Sequence, residues 1–114
     1  MRVLVCGSRN WKDYTKVKAR LSLLPKDCTI IEGGAPGADL VARLVATELG
    51  LDVVEVPANW TRYGKAAGPI RNDRMLKFKP HLVIAFHEAI DSSRGTKDTV
   101  TKARNLGIQT EVIT

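Results

Sequence analysis

The sequence predicts an α/β fold, a single Rossmann-like three-layer domain over residues 1–114 with a mostly parallel five-stranded sheet. Three observations predict it. Strand and helix patterns alternate along the chain with short turns between them. The strand segments are near-continuous apolar runs, the pattern of strands buried on both faces of a parallel sheet. The length of 114 residues, with 44% apolar content, suits one compact core and leaves no room for a second.

RVLVC, residues 2–6, is the first strand, and GSRNW follows it as a turn. Asp13 stands where it caps a helix in which Tyr14, Val17, Leu21 and Leu24 recur at helical spacing until Pro25. CTIIE, 28–32, is the second strand and runs into the loop GGAPGAD. In the second helix Leu40, Val41, Leu44, Val45 and Leu49 are expected to make one apolar face, with Gly50 as a left-handed cap. LDVVEV, 51–56, is the third strand. A long polar loop from Pro57 to Gly68 then leads to a helix that starts near Pro69, runs through Met75 to Phe78 and ends before Pro80. HLVIAF, 81–86, is the fourth strand and HEAIDSSRG the loop after it. Thr96 to Leu106 is a helix capped by Gly107, and IQTEVI, 108–113, is the fifth strand.

In such sheets ligands bind beyond the carboxyl ends of the strands, where the strand order reverses. The unusual residues of this chain follow the strands at that edge. Gly7, Ser8 and Arg9 come after the first strand, Gly33 to Asp39 after the second, the basic loop after the third, and Arg94, Gly95 and Thr96 after the fourth. One surface is therefore expected to collect them all.

Charge points the same way. The chain carries 18 basic and 12 acidic residues, and the stretch Pro57–Lys79 alone holds six basic residues against Asp73. Such a patch suits an anionic partner, although a solvated face is the common alternative. No apolar run approaches the roughly 18–20 residues that cross a bilayer, and the start turns polar too soon for a signal peptide. A cytoplasmic protein without a membrane partner is the expectation. Cys6 and Cys28 fall at opposite ends of neighbouring strands, too far apart to pair, and free thiols fit a reducing compartment.

Each motif has a ligand role and a structural one. In EGGAPGAD, Gly33 and Gly34 let backbone approach a ligand, and Gly37 opens a helix whose amides favour an anion. The loop is neither a phosphate-binding GK[ST] loop nor a GxGxxG dinucleotide fingerprint, and a tight turn uses the same glycines. Asp39 suits either a helix cap or a ribose hydroxyl. In SRGTKD, helix amides and the Thr96 hydroxyl face an anion, or Thr96 is a plain cap. Arg71, in the first turn of its helix, suits a bidentate grip on phosphate, and Asn72 adds a donor and an acceptor. Arg74 is expected to face solvent. Trp60 and Tyr63 beside Arg62 and Lys65 mix stacking surfaces with cations, while packing on the sheet is an equal use for Trp60. Trp11 is expected to pack over the first helix. His81 and His87 have no ligand-spaced partners, so no metal and no cofactor are expected. Ser8 lacks a His–Asp partnership and a nucleophile elbow.

Taken together, GSRNW, EGGAPGADLVA, AGPIRNDRML and RGTKDTVTKA resemble the SLOG superfamily over nearly the whole chain, closest to its small stand-alone YspA-like members. That superfamily includes the Lonely Guy phosphoribohydrolases, bacterial DNA-processing protein A and Rossmann-like sensor domains. The resemblance implies a nucleotide-type ligand held by Gly33, Gly34, Gly37, Asp39, Arg71, Asn72, Gly95 and Thr96, and a homo-oligomer. The Lonely Guy branch implies N-glycosidic hydrolysis of a nucleoside monophosphate, with Arg71 stabilising charge and Asp98 or Asp39 assisting water. In that branch a glutamate follows a GGxGT turn, whereas this turn reads SSRGTKDT. The DNA-processing branch implies single-stranded DNA on the basic segment, and a silent nucleotide sensor uses the same pocket without chemistry.

Overall fold

A computed structural model describes residues 1–114. The apolar runs form β1 (Arg2–Gly7), β2 (Thr29–Glu32), β3 (Asp52–Glu55), β4 (Leu82–Phe86) and β5 (Gln109–Ile113). Between them lie α1 (Tyr14–Leu21), α2 (Ala38–Glu48), α3 (Trp60–Tyr63), α4 (Ala67–Lys77) and α5 (Gly95–Asn105). The sheet order is β3-β2-β1-β4-β5, and every pairing is parallel. β1 is central, flanked by β2 and β4, so the chain reverses its direction of travel across the sheet at β1 and β4.

Alternation along the strands divides the core into two halves, one on each face. Val3 and Val5 pack with Ile30, Ile84 and Phe86 against Val17 and Leu21 of α1 and Ala42 and Val45 of α2. Leu4 and Cys6 pack with Ile31, Val83 and Ala85 against Met75 and Leu76 of α4 and Val100 and Ala103 of α5. These are the three layers expected. Trp11 joins the first half, its ring centroid 5.6 Å from that of Phe86. Both cysteines are buried free thiols. Arg2 stands opposite Thr29, which sets Cys6 five residues farther along the sheet than Cys28, roughly 16 Å at about 3.3 Å per residue.

Asp13 caps α1 as expected, its Oδ1 accepting from the Lys16 amide at 3.0 Å. Two expectations need correction. The buried face of α2 consists of Ala38, Asp39, Ala42, Val45 and Ala46, whereas Leu40 and Leu44 are 37% and 52% exposed. Helix and sheet approach too closely for leucine here: a Cβ on Gly7 of β1 would come within 2.7 Å of Ala38 Cβ. Val45 is buried and Val41 and Leu49 pack against the same core as expected, so the face was misjudged only at Leu40 and Leu44. The segment after β3 is also more ordered than a polar loop. Asn59 caps α3 by accepting from the Arg62 amide at 3.0 Å, a single 3-10 turn follows at Gly64–Ala66, and α4 starts at Ala67. Pro69 still lies in the first turn, where no amide needs an intrahelical acceptor.

Candidate functional site

The parallel topology brings the turns after β1, β2, β3 and β4 to one edge, and between them lies a cleft of about 860 Å³. Gly7, Ser8, Arg9, Gly33, Gly34, Asp39, Trp60, Arg71, Asn72, Gly95, Thr96 and Asp98 all line it. Gly37 does not. It stands behind the wall, where a Cβ would lie 2.2 Å from Ser8 O, and its φ of +82° is one that only glycine adopts readily.

The turn after β2 satisfies itself. Asp39 Oδ2 accepts from the amides of Gly33 at 3.1 Å and Ala35 at 3.2 Å, and Glu32 Oε1 accepts from Gly34 at 2.7 Å. The first amide of α2, Ala38 N–H, donates to Ser8 O at 3.0 Å. Asp39 therefore staples the loop instead of capping α2. Burial pushes its carboxyl up to about 6, against the pull of the Ala35 amide, Arg71 and the Gly33 amide. Glu32 is fully buried with Oε2 unpartnered. Burial also pushes it up to about 7, opposed by the Gly34 amide and reinforced by Glu55, its neighbour across β2 and β3.

Arg71 crosses the floor of the cleft. Its Nη1 donates to Gly33 O at 2.8 Å and its Nε to Asn72 Oδ1 at 3.0 Å, while Nη2 has no partner within the chain. A Cβ at Gly33 would come within 2.5 Å of Nη1, so a side chain there would displace the Arg71 guanidinium from this position. Asn72 is buried and works as a relay. Its Nδ2 donates to Asp98 Oδ2 at 3.1 Å and to Gly95 O at 3.3 Å, tying α4 to the start of α5. Asp98 also pairs with Lys102 at 3.1 Å.

The turn before α5 is open by contrast. Ser93 Oγ accepts from the Thr96 amide at 3.1 Å, so the side-chain cap, one of the two roles open to Thr96, falls to Ser93. An α-helix leaves its first-turn amides without intrahelical acceptors, and the remainder of this turn borders the cleft. Lys65, Ser93 and Arg94 complete this wall. Arg94 and Lys65 stood among the unusual residues of their turns in the sequence, whereas Ser93 was not singled out. Glu88 was missed altogether: its Oε1 accepts from Ser8 Oγ at 2.9 Å, and this contact, after its own amide, holds its carboxyl below the usual range. Nothing in the local pattern around Glu88 signals that contact, which joins residues 80 apart. His87 lines the cleft as well. Tyr63 does not reach it; Arg62 lies over its ring at 5.1 Å.

An all-parallel sheet with a polar cleft beyond its central strands defines a Rossmann-like α/β protein. The model of the YspA, cpYpsA-related SLOG family (YAcAr) matches residues 1–63, and the chain belongs to that family, as its motifs suggested. It is 34% identical over 116 residues to the gene 61 protein of Mycobacterium phage D29, an alignment covering 94% of this chain and 91% of that protein. The X-ray structure of DNA processing protein A (DprA) from Streptococcus pneumoniae superposes with a TM-score of 0.80 at 21% identity, over 99% of this chain and 50% of that one. The chain thus spans about half of the DprA chain, and that likeness is one of fold.

Proposed function

We propose that the cleft binds a nucleotide-type ligand, with the phosphate between Arg71 and the first turn of α5 and the sugar and base extending toward Trp60. The convergence of Arg9, Lys65, Arg71 and Arg94 with a helix N-terminus in one cleft of about 860 Å³ carries this reading. Arg71 supports it best. Two of its donors fix the guanidinium against Gly33 and Asn72, and the free Nη2 is thereby pre-oriented. Gly7, Gly34, Gly95, Ser8 and Thr96 keep the walls small or hydroxylated.

A sensor role is preferred over N-glycosidic hydrolysis because the acidic candidates are occupied. Asp39 holds two amides, and Asp98 is engaged by Asn72 and Lys102. Both serve to shape the site rather than to move a proton. Melting the protein with a panel of nucleoside monophosphates tests the reading. A ligand at about 100 times its Kd stabilises by about 2.7 kcal/mol. Arg71→Gln is expected to weaken that ligand about 10- to 100-fold in a protein that still melts cooperatively. Equal affinity in the variant would remove Arg71 from the site, and base release abolished by the substitution would restore the hydrolase.

A further inference from the structure

The two edges of the sheet are built differently. β5 is guarded on both faces: Glu111 pairs with Arg20 of α1 at 2.8 Å, and Thr110 Oγ1 accepts from Arg104 Nε of α5 at 2.8 Å. Charged side chains held over an edge strand protect it against further pairing. β3, at the other edge, is guarded on its α2 face alone, where Glu55 meets Arg43 at 3.2 Å. Its α4 face opens into a second concavity, of about 750 Å³, beside the C-terminal half of α4.

The β3 edge also has unspent backbone. Backbone direction alternates along a strand, and the Val56 amide donates to Glu32 O at 2.8 Å, so Val54 and Val56 face β2. The amides and carbonyls of Val53 and Glu55 therefore point outward, and no hydrogen bond of the chain reaches them. Beside them the groove holds two aromatic rings without burial, Trp60 at 57% and Phe78 at 44% exposure. Arg74 and Lys77 line it as well, and neither has an ion-pair partner in the chain.

We infer that this edge docks an extended, acidic segment of a partner protein, which adds beside β3 as a sixth strand. Its backbone exchanges hydrogen bonds with Val53 and Glu55. Of its side chains that face α4, an apolar one seats between Trp60 and Phe78, and acidic ones pair with Arg74 and Lys77. Main-chain pairing gives such complexes affinity, and pockets for alternate side chains give them specificity. The outward backbone decides the class of occupant: a phosphodiester backbone has acceptors for the two amides but no donor for the two carbonyls, whereas a polypeptide offers both. Charge decides against a second copy of the chain. Antiparallel pairing of two β3 edges about a two-fold axis would gather Arg74 and Lys77 of both copies on one face of the joined sheet, like charges together.

A displayed library of random twelve-residue peptides, selected on the full chain, provides the test, with the strongest binder then titrated as a synthetic peptide. Selected sequences are expected to alternate acidic with apolar residues. Arg74→Glu with Lys77→Glu should weaken the peptide about 10- to 100-fold, and lysines in place of its acids should restore binding to that variant. N-methylation of the peptide amides should cost about 3- to 10-fold at alternate positions only, the mark of pairing along one edge. Melting curves establish that the variant folds, and the methylation series needs no variant. Arg71→Gln should leave peptide affinity unchanged, because the edge uses no donor of the cleft; nucleotide binding or its absence bears on the cleft alone. Selection without an acidic consensus, affinity indifferent to the charge reversal, methylation costs without a two-residue period, or peptide affinity lost with Arg71 would overturn the docking site. So would displacement of the peptide by an oligodeoxythymidylate, which would give the groove to nucleic acid, or a sedimenting dimer that the peptide dissociates, which would give the edge to a second copy.

Discussion

The two glycine turns at the sheet edge look alike in sequence and do opposite work. In the turn after β2, the amides of Gly33, Gly34, Ala35 and Ala38 are all taken by acceptors within the fold. In the turn before α5, Gly95 has no heavy atom within 4 Å of where its Cβ would be, and the helix start opens into the cleft. One turn is glycine-rich because backbone and Arg71 press against it; the other leaves space beside a helix dipole. The two turns thus differ in how many donors are left unspent, and glycine content does not report that difference.

Alanine substitutions break the comparison most sharply. Gly37→Ala must fit a methyl 2.2 Å from Ser8 O and 2.5 Å from the Arg9 carbonyl at a φ of +82°. A loss of about 3–5 kcal/mol is expected, measured as a collapse of the melting temperature. A variant that melts like the parent would show the turn to be looser than its contacts imply.

Acidity separates the turns next. Glu32 and Asp39, with carboxyls pushed up to about 7 and about 6, hold protons in the folded chain that the unfolded chain has released. The stability these two groups contribute is therefore full below about pH 4 and is lost as pH rises through about 7. The lowered carboxyls of Glu88 and Glu111 act with the opposite sign, contributing stability that is lost as pH falls. Denaturation at pH 5 and pH 8 should differ by on the order of 1–3 kcal/mol. Glu32→Gln keeps an acceptor for Gly34 and imitates the protonated acid, so it should flatten the difference and stabilise the protein at pH 8. An unchanged slope would mean that Glu32 is ionised in the folded state.

The smallest effect sharpens the contrast by its sign. Gly95→Ala at the open helix start should stabilise by about 0.4–1 kcal/mol, because it restricts the unfolded chain without a clash. The same methyl borders the cleft, so nucleotide affinity should fall while the melting temperature rises. Calorimetric titration beside a thermal melt reads both, and undiminished affinity would exclude this turn from the ligand contact.

Much of this molecule was legible in its residues. Apolar runs, the Asp13 cap and the stops at Pro25 and Pro80 are local signals, and they define all five strands in order. Parallel connection then sends every post-strand turn to one edge, which is why twelve of the thirteen expected site residues line a single cleft. Local pattern failed where packing distance overruled it. Alanines take the place of Leu40 and Leu44 on the buried face of α2 because β1 lies so close, while α3 starts at a local cap, Asn59, inside a segment whose polarity suggested a loop.

What sequence determined by itself was the class of fold and the edge that gathers the candidate site residues, because both follow from short-range periodicity and the handed economy of strand-helix-strand units. Only the tertiary structure decided which donors are spent. Arg71 meets Gly33 across 38 residues, Asn72 meets Asp98 across 26, and Ser8 meets Glu88 across 80. Such partnerships are set by the distance between folded elements, which no local pattern encodes, and they distinguish the self-satisfied turn after β2 from the open one before α5.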